Sequence, residues 1–160
     1  MSRTTKPIKS VTLTTDGACI GNPGPGGWAC LLHYDKHSRE LYGSVAHTTN
    51  NRMELMAVLQ GLSTLKEPCE VTIVTDSEYV QKGITEWMDR WRQKGWKTTE
   101  KKPVKNQDLW KELDEALARH HVSWQWVKGH GSHADNIRVD KLAYDAARHQ
   151  TTKTTVHAKV

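Results

Sequence analysis

The stretch that most constrains this chain is Thr14-Thr15-Asp16-Gly17-Ala18-Cys19-Ile20-Gly21-Asn22-Pro23-Gly24-Pro25-Gly26-Gly27. It follows an apolar, β-branched run (Ile8, Val11, Thr12, Leu13, Thr14) and then breaks into five glycines and two prolines. The run favours a strand, and the glycine–proline cluster reads as the turn that ends it. An aspartate at such a junction is held still at a sheet end. The same ending recurs at Val71-Thr72-Ile73-Val74-Thr75-Asp76. Two strands that both close on Thr-Asp deliver two carboxylates to one place, and the rest of the chain reads as serving that place.

The order of elements supports this. Residues 8–18, 28–34 and 39–47 read as three strands, and their short connections predict an antiparallel meander. Thr48 to Asn51 supply N-cap candidates for a helix to about Leu65, with Leu55, Leu59 and Leu62 as its core stripe. A fourth strand spans 70–75. Strand, helix, strand in this order predicts a crossover that makes it the parallel neighbour of the first strand, so Asp16 and Asp76 lie at adjacent carboxyl ends. Ser77 can cap a helix over 78–94, which Gly83 weakens. Residues 95–105 form a basic loop, and Asn106 or Asp108 caps a helix to about His120. A fifth strand covers 122–127, a glycine-broken loop 128–133 and a last helix 134–149. No periodicity marks 151–160, which reads as a mobile, disordered tail.

With 160 residues the chain fits one domain, residues 1–150, with a basic arm at about 82–105. An apolar fraction of 36% is low but lies above that of a disordered chain. Cys19, Cys30 and Cys69 are odd in number and widely spaced, which argues against a disulfide framework or a thiolate zinc site. A reducing, cytoplasmic setting fits them. No run approaches the length of a membrane span, and Met1 to Lys6 lack the apolar core of a signal peptide. The net charge of +5 suits a polyanionic partner without demanding one.

Two more acids stand out. Glu54 shares its helical face with Ala57, Val58 and Gly61, an odd face for a charge and one that predicts close packing on the sheet. Asp140 sits in the last helix beside Leu142, Ala143 and Ala147. Taken singly, aspartates at strand ends and helix starts are ordinarily caps or turn formers, so the case rests on joint placement. Partly buried carboxylates without a cationic partner in sequence call for compensation, and a hard divalent cation is the simplest. Oxygen donors without cysteine or a histidine pair point to Mg2+ or Mn2+.

From Lys82 to Lys105 eight cations face only Glu86, Asp89 and Glu100, and Trp87 and Trp91 share one helical face. Lysines can track phosphates while indoles lie against sugars or bases. The plainer alternative, a core tryptophan pair beneath solvated charges, is compatible with the same pattern. On the loop Lys128-Gly129-His130-Gly131-Ser132-His133, His130 is the better proton carrier and His133 the better start for the last helix.

Together these stretches closely resemble type 1 ribonuclease H in its bacterial form. The matching segments are TDGACIGNPGPGGWA (15–29), TTNNRMELMAV (48–58), TDSEYV (75–80), GITEWMDRWRQKGWKTTEKKPVKNQDLW (83–110) and WVKGHGSHADNIRVDKLA (126–143). The resemblance implies an α/β fold of the ribonuclease H-like type. Its five-stranded mixed sheet has three antiparallel strands plus two parallel, flanked by helices on both faces. It implies endonucleolytic hydrolysis of the RNA strand of RNA–DNA hybrids, sequence-nonspecific, leaving 3′-hydroxyl and 5′-phosphate ends. It places an acidic metal-binding quartet on Asp16, Glu54, Asp76 and Asp140 and a mobile catalytic histidine on His130. Two Mg2+ ions, about 4 Å apart in such sites, are the implied cofactor, with Mn2+ as a substitute. The implied hybrid contacts are Cys19, Asn22, Thr49, Asn50, Asn51, Trp87, Trp91 and Lys105. The position two after Asp76, often a Gln that reads a base edge in relatives, is Glu78 here and is carried as a further substrate contact, and Gly131-Ser132 stands where relatives commonly have Ala-Gly. No separate hybrid-binding domain precedes residue 8, and a monomer with no membrane association is expected. A catalytically silent hybrid-binding module would be expected to lose an acidic position, and none of the four is lost. Another nuclease on the same fold would not be expected to carry the tryptophan-rich arm.

Overall fold

The computed structural model describes residues 8–128, 133–150 and 157–159. Its strands are β1 (Ser10–Cys19), β2 (Gly24–Tyr34), β3 (His37–Thr48), β4 (Glu70–Thr75), β5 (His121–Trp126) and the short β6 (His157–Lys159). Its main helices are α1 (Asn50–Ser63), α2 (Glu78–Lys82), α3 (Met88–Gln93), α4 (Gln107–Ala118) and α5 (Ala134–His149), with a π-helical turn, Gly83–Trp87, between α2 and α3. The strands form one sheet in the order β5-β4-β1-β2-β3-β6. β1, β2 and β3 are the expected antiparallel meander, and β4 pairs parallel with both β1 and β5. The expected five strands are therefore present. A sixth is added: residues 157–159, within the segment read as a disordered tail, pair antiparallel with Ser38 to Glu40 of β3.

Alternation along the strands separates two apolar layers. Trp28, Cys30 and Leu32 of β2 join Leu13, Met53, Leu55, Val58 and Leu62 in the larger core under α1 and α4. Ala29 and Leu31, one residue out of phase, join Val139, Leu142 and Ala143 of α5. Because neighbouring strand residues point to opposite faces, α1 and α5 lie on opposite sides of the sheet.

The glycine-rich stretch differs from its reading as a long turn. β1 continues through Cys19 and β2 begins at Gly24, so most of these glycines are strand residues. At Gly27 a Cβ would sit 2.2 Å from the Ala143 carbonyl oxygen and 2.5 Å from the Ala147 nitrogen. The missing side chain lets α5 lie directly on the strand, which sequence pattern alone reads as a turn signal.

The helix expected over 78–94 is interrupted rather than weakened. A Cβ on Gly83 would fall 2.0 Å from the Trp110 ring, and the chain takes its π turn there. Ser77 caps α2 as expected, accepting from the Val80 N–H at 3.1 Å. Asn106 occupies the position before α4 but makes no side-chain cap; it adopts a left-handed conformation, φ 60°. Its amide instead accepts from Arg52 Nη1 and donates to the Tyr79 hydroxyl.

Candidate active site

β1 and β4 run parallel with Thr14 opposite Val74, so two residues on, Asp16 and Asp76 stand level at the same sheet end. Both follow strand residues of matching parity and both turn toward the α5 side. Glu54 arrives from the other face. A Cβ on Gly17 would lie 2.5 Å from the Glu54 backbone nitrogen, so α1 can close on the end of β1 only because residue 17 is glycine. Oxygens of Asp16, Glu54 and Asp76 lie within 4.8 Å of one another. Asp140 comes down from α5 and is hydrogen-bonded to Asp16. A cavity of about 200 Å3 opens beside them, lined by Thr15, Asp16, Asp76, Asn136, Ile137, Val139 and Asp140. A larger cavity, about 530 Å3, lies at the opposite end of β1 around Lys9, Tyr34 and Leu65 and holds no such acid cluster. Chemistry, not size, locates the site.

The electrostatics of the cluster are unfavourable without a counterion. Asp16 is 8% exposed and Glu54 6%. Burial first, then the charge of Asp76 and a hydrogen bond that protonated Asp16 donates to the Asp140 carboxylate, pushes the Asp16 carboxyl up to about 8. Glu54 is held well above the ordinary glutamate range, mainly by burial and then by Asp16 and Asp76. Only the Gly17 N–H, 2.9 Å from Asp16 Oδ1, works the other way on Asp16. Glu54 Oε1 is buried and, among the described residues, has no hydrogen-bond partner. Among the described residues no ion pair reaches Asp16 or Glu54. An unpartnered buried oxygen within an all-oxygen donor set fits a hard divalent cation.

The other sequence-derived positions fall in three places. Cys19 donates to the Gly24 and Thr48 carbonyls, Asn22 Oδ1 accepts from the Asn50 N–H at 3.0 Å, and Thr49 accepts from Arg52 N. These contacts tie the β1–β2 turn to the start of α1, where Asn51 is the second helical residue. Glu78 opens α2 and is exposed, two residues past Asp76. Trp87, Trp91 and Lys105 line an open slot with Tyr79, about 300 Å3 in volume. Trp91 packs on Trp110 at 5.4 Å and on Trp87 at 5.6 Å, so the indoles anchor the arm while its lysines face out. The basic loop is itself closed: Lys97 pairs with Pro103, and Val104, buried, donates to the Trp96 carbonyl. His130 lies outside the described residues. His133 takes the position before α5, as expected, without a side-chain cap.

The sequence reading passed over Asn136 and Arg52. Asn136 sits one helical turn before Asp140, a spacing that places both on the cavity side. Arg52 grips Asp108 through both oxygens, at 3.0 and 2.7 Å, joining α1 to the start of α4.

The model of the RNase H family matches residues 8–148. The chain belongs to the RNase H family. A ribonuclease H of Solibacter usitatus is 60% identical over 144 residues, covering 90% of this chain and 99% of that protein. A ribonuclease H of Pseudomonas savastanoi is 62% identical over 134 residues, covering 84% and 90%. In solved structures the fold matches LC9-RNase H1, described as a type 1 RNase H with the type 2 active-site motif, with a TM-score of 0.86 and 33% identity over 98% of this chain and 80% of that one. The family, the bacterial relatives and the five-strand core agree on a type 1 RNase H of the bacterial form. The protein is a ribonuclease H enzyme, an endonuclease. Its carboxylate cluster is compatible with the divalent metal use of such an enzyme. Among the described residues, no helix is long and apolar enough to cross a membrane.

Proposed function

We propose that the chain hydrolyses the RNA strand of RNA–DNA hybrids with divalent metal ions held by Asp16, Glu54, Asp76 and Asp140. The observation that carries this reading is the gathering of Asp16, Glu54 and Asp76 from β1, α1 and β4 about a buried Glu54 oxygen that is unpartnered among the described residues, with Asp140 of α5 bonded to Asp16 at the exposed rim. Mg2+ is the natural occupant of an all-oxygen set, two ions per site with substrate and Mn2+ as a substitute. When bound, the metal lowers the pKa of the attacking water and stabilises charge on the phosphate and the leaving oxygen.

The carboxylates serve as ligands and not as nucleophiles. Hydrolysis is then one in-line displacement: a water oxygen bonds to phosphorus, the bond to the 3′ oxygen breaks, and the ends are a 5′-phosphate and a 3′-hydroxyl. His130, which precedes α5 in the sequence and lies outside the described residues, is assigned proton transfer near the leaving group. Cys19, Asn22, Thr49, Asn50 and Asn51 line the edge that would meet the RNA strand, where 2′-hydroxyls distinguish RNA from DNA. Trp87, Trp91 and Lys105 would hold the DNA strand, with Glu78 near the base edges. Shape and backbone contacts make the cut sequence-nonspecific. Three free thiols support a reducing cytoplasm, and a monomer suffices, since one chain supplies the quartet.

The test is an incubation with RNA–DNA hybrid, RNA duplex and DNA duplex, each with Mg2+ and with chelator. Cleavage of the hybrid RNA alone, dependent on Mg2+ and ending in 5′-phosphate, is the expected result. Cutting of duplex DNA, or hybrid cleavage in chelator, would overturn the assignment.

A further inference from the structure

α5 carries the fourth acid, yet apart from Leu142 it lies on the sheet through short side chains. Val139, Leu142, Ala143, Ala146 and Ala147 are its buried face, with Leu142 the one long side chain among them, and the backbone of Ala143 and Ala147 rests on Gly27. Small residues permit close approach but interlock little, so they fix the height of the helix better than its rotation. Besides the Asp140–Asp16 contact that is itself at issue, three polar contacts among the described residues tie it to the sheet. His33 and Asp135 meet at 2.9 Å, but both are about two-fifths exposed. Gln150 reaches the Gly26 carbonyl at 3.5 Å, a long contact. The third is of another kind. Arg138 Nε donates to Glu40 Oε2 at 2.5 Å, and Nη2 donates to Oε1 at 2.9 Å. The Glu40 side chain is 5% exposed, whereas that of Arg138 is 44%. Glu40 sits opposite Leu31 on the α5 face of β3, away from the acid cluster.

Arg138 and Asp140 are two residues apart, so they leave the helix on roughly opposite sides. One grips β3, and the other hangs over the end of β1. A helix with side chains has a radius of about 6 Å, so a roll of about 10° moves a carboxylate at its rim by about 1 Å. A displacement of that size can change a rate by about 100-fold. We propose that the Glu40–Arg138 pair is a positioning pair that fixes the rotation of α5 and thereby sets Asp140 against Asp16. The inference rests on the reading of Asp140 as a metal ligand. Arg138 also feels Asp145 and Tyr42, but only Glu40 gives it a two-pronged grip, which lysine would not reproduce.

The experiment uses the full chain and four variants: Glu40→Gln, the apolar double variant Glu40→Leu/Arg138→Met, Arg138→Lys and Asp140→Asn. Mn2+ affinity of the free protein is measured by calorimetry, and kcat and KM are measured on hybrid at saturating Mg2+. Urea unfolding supplies the stability. Replacing a buried pair by apolar groups is often neutral for stability, whereas breaking it is not. The double variant is therefore expected to unfold near the wild-type midpoint while binding Mn2+ about 10-fold more weakly, with kcat lower by a similar factor, the range for partners that orient a ligand. KM should move less than twofold. Glu40→Gln should show the same losses with reduced stability, and Arg138→Lys should show them in milder form, which keeps the question answerable if Glu40→Gln fails to fold.

A double variant with wild-type Mn2+ affinity and kcat, or one that loses only stability, reduces the pair to a structural contact and overturns the proposal. A rise in KM alone places Arg138 on the nucleic acid and overturns it as well. Unchanged Mn2+ affinity and kcat in Asp140→Asn would remove Asp140 from the metal site, and the underlying reading would fall with the proposal. A clear loss in Asp140→Asn beside a normal double variant would remove only the positioning role.

Discussion

At the carboxylate end of the sheet, negative charge is packed inside the molecule; along the arm, positive charge is spread over its outside. Asp16 and Glu54 are nearly inaccessible and, among the described residues, have no cationic partner, so they are held at a cost in desolvation and repulsion. The arm lysines at 82, 94, 97, 101 and 105 are exposed, and among the described residues none has an ion pair. Their mutual repulsion is screened by water and salt. The first cluster therefore suits a small ion at a fixed point, while the second suits a diffuse polyanion somewhere along it. The rigid parts differ accordingly. Acids ride on strands and long helices, whereas the arm is held by an aromatic stack of Trp87, Trp91, Trp96 and Trp110.

The sharpest way to break this contrast is Asp16→Asn. If the buried cluster is a metal site, the loss of several kcal/mol of charge stabilisation lowers kcat about 1000-fold or more. The same change removes repulsion, so the metal-free variant should be at least as stable as the wild type. Steady-state turnover with Mg2+ and urea unfolding in chelator check the two halves. Near-normal turnover would dissolve the distinction between the two regions.

The second test is titration of the metal-free protein. Asp16 holds its proton up to about pH 8 when folded but releases it near its ordinary value of 3.8 when unfolded. Between these limits the unfolded state binds fewer protons, so stability falls as pH rises and is highest in acid. The decline should amount to a few kcal/mol, shared with Glu54. Mg2+ should flatten it, because a bound cation favours the ionised carboxylates. Asp16→Asn should flatten it as well. Stability rising from pH 4 to 8 in chelator would show that the acids are paired with something else.

How far the sequence exposes each region follows from the range of the interactions that build it. The run Val71 to Thr75 and its closing Asp76 were legible because β-branched residues and a capping Ser77 act locally. The span of α5 was legible from its alanine-rich pattern for the same reason. Other features were hidden because their causes lie far away in sequence. Gly24 to Gly27 signal a turn until α5 is seen lying on Gly27. Gly83 reads as a weak helix residue until Trp110 is seen against it. Asn106 reads as a cap until Arg52 and Tyr79 claim its amide. The approach of Glu54 to Asp16 depends on the absent side chain of Gly17, which no periodicity reports. The pairing of residues 157–159 with β3 likewise carries no local signal.

A smaller effect is expected from the arm. Replacing Lys101, Lys102 and Lys105 by Gln should raise KM about 10-fold at moderate salt and leave kcat within twofold. Each lost phosphate contact should lower the slope of log KM against log salt by about 0.7–0.9. Lys102 already faces Glu100 at 3.8 Å, an exposed and weak pair, so its share should be the least. An unchanged slope would mean that the lysines point away from the substrate and that the indoles alone hold it.

The smallest change tests the border between the two regions. Glu78 is the first residue of α2, exposed, and only two residues from Asp76. A carboxylate at a helix N-terminus is favoured by the helix dipole, by about 0.3–1 kcal/mol. Facing a nucleic acid it repels phosphates, and it accepts hydrogen bonds without donating any. These two effects pull a Glu78→Gln substitution in opposite directions. Stability should fall slightly, by less than about 1 kcal/mol, while hybrid affinity should rise about two- to threefold and kcat stay level. Affinity is measured with a catalytically disabled partner substitution, Asp16→Asn, so that the hybrid survives. If affinity is unchanged or weaker, Glu78 faces away from the groove, and the negative region ends at Asp76 instead of reaching the edge where the bases pass.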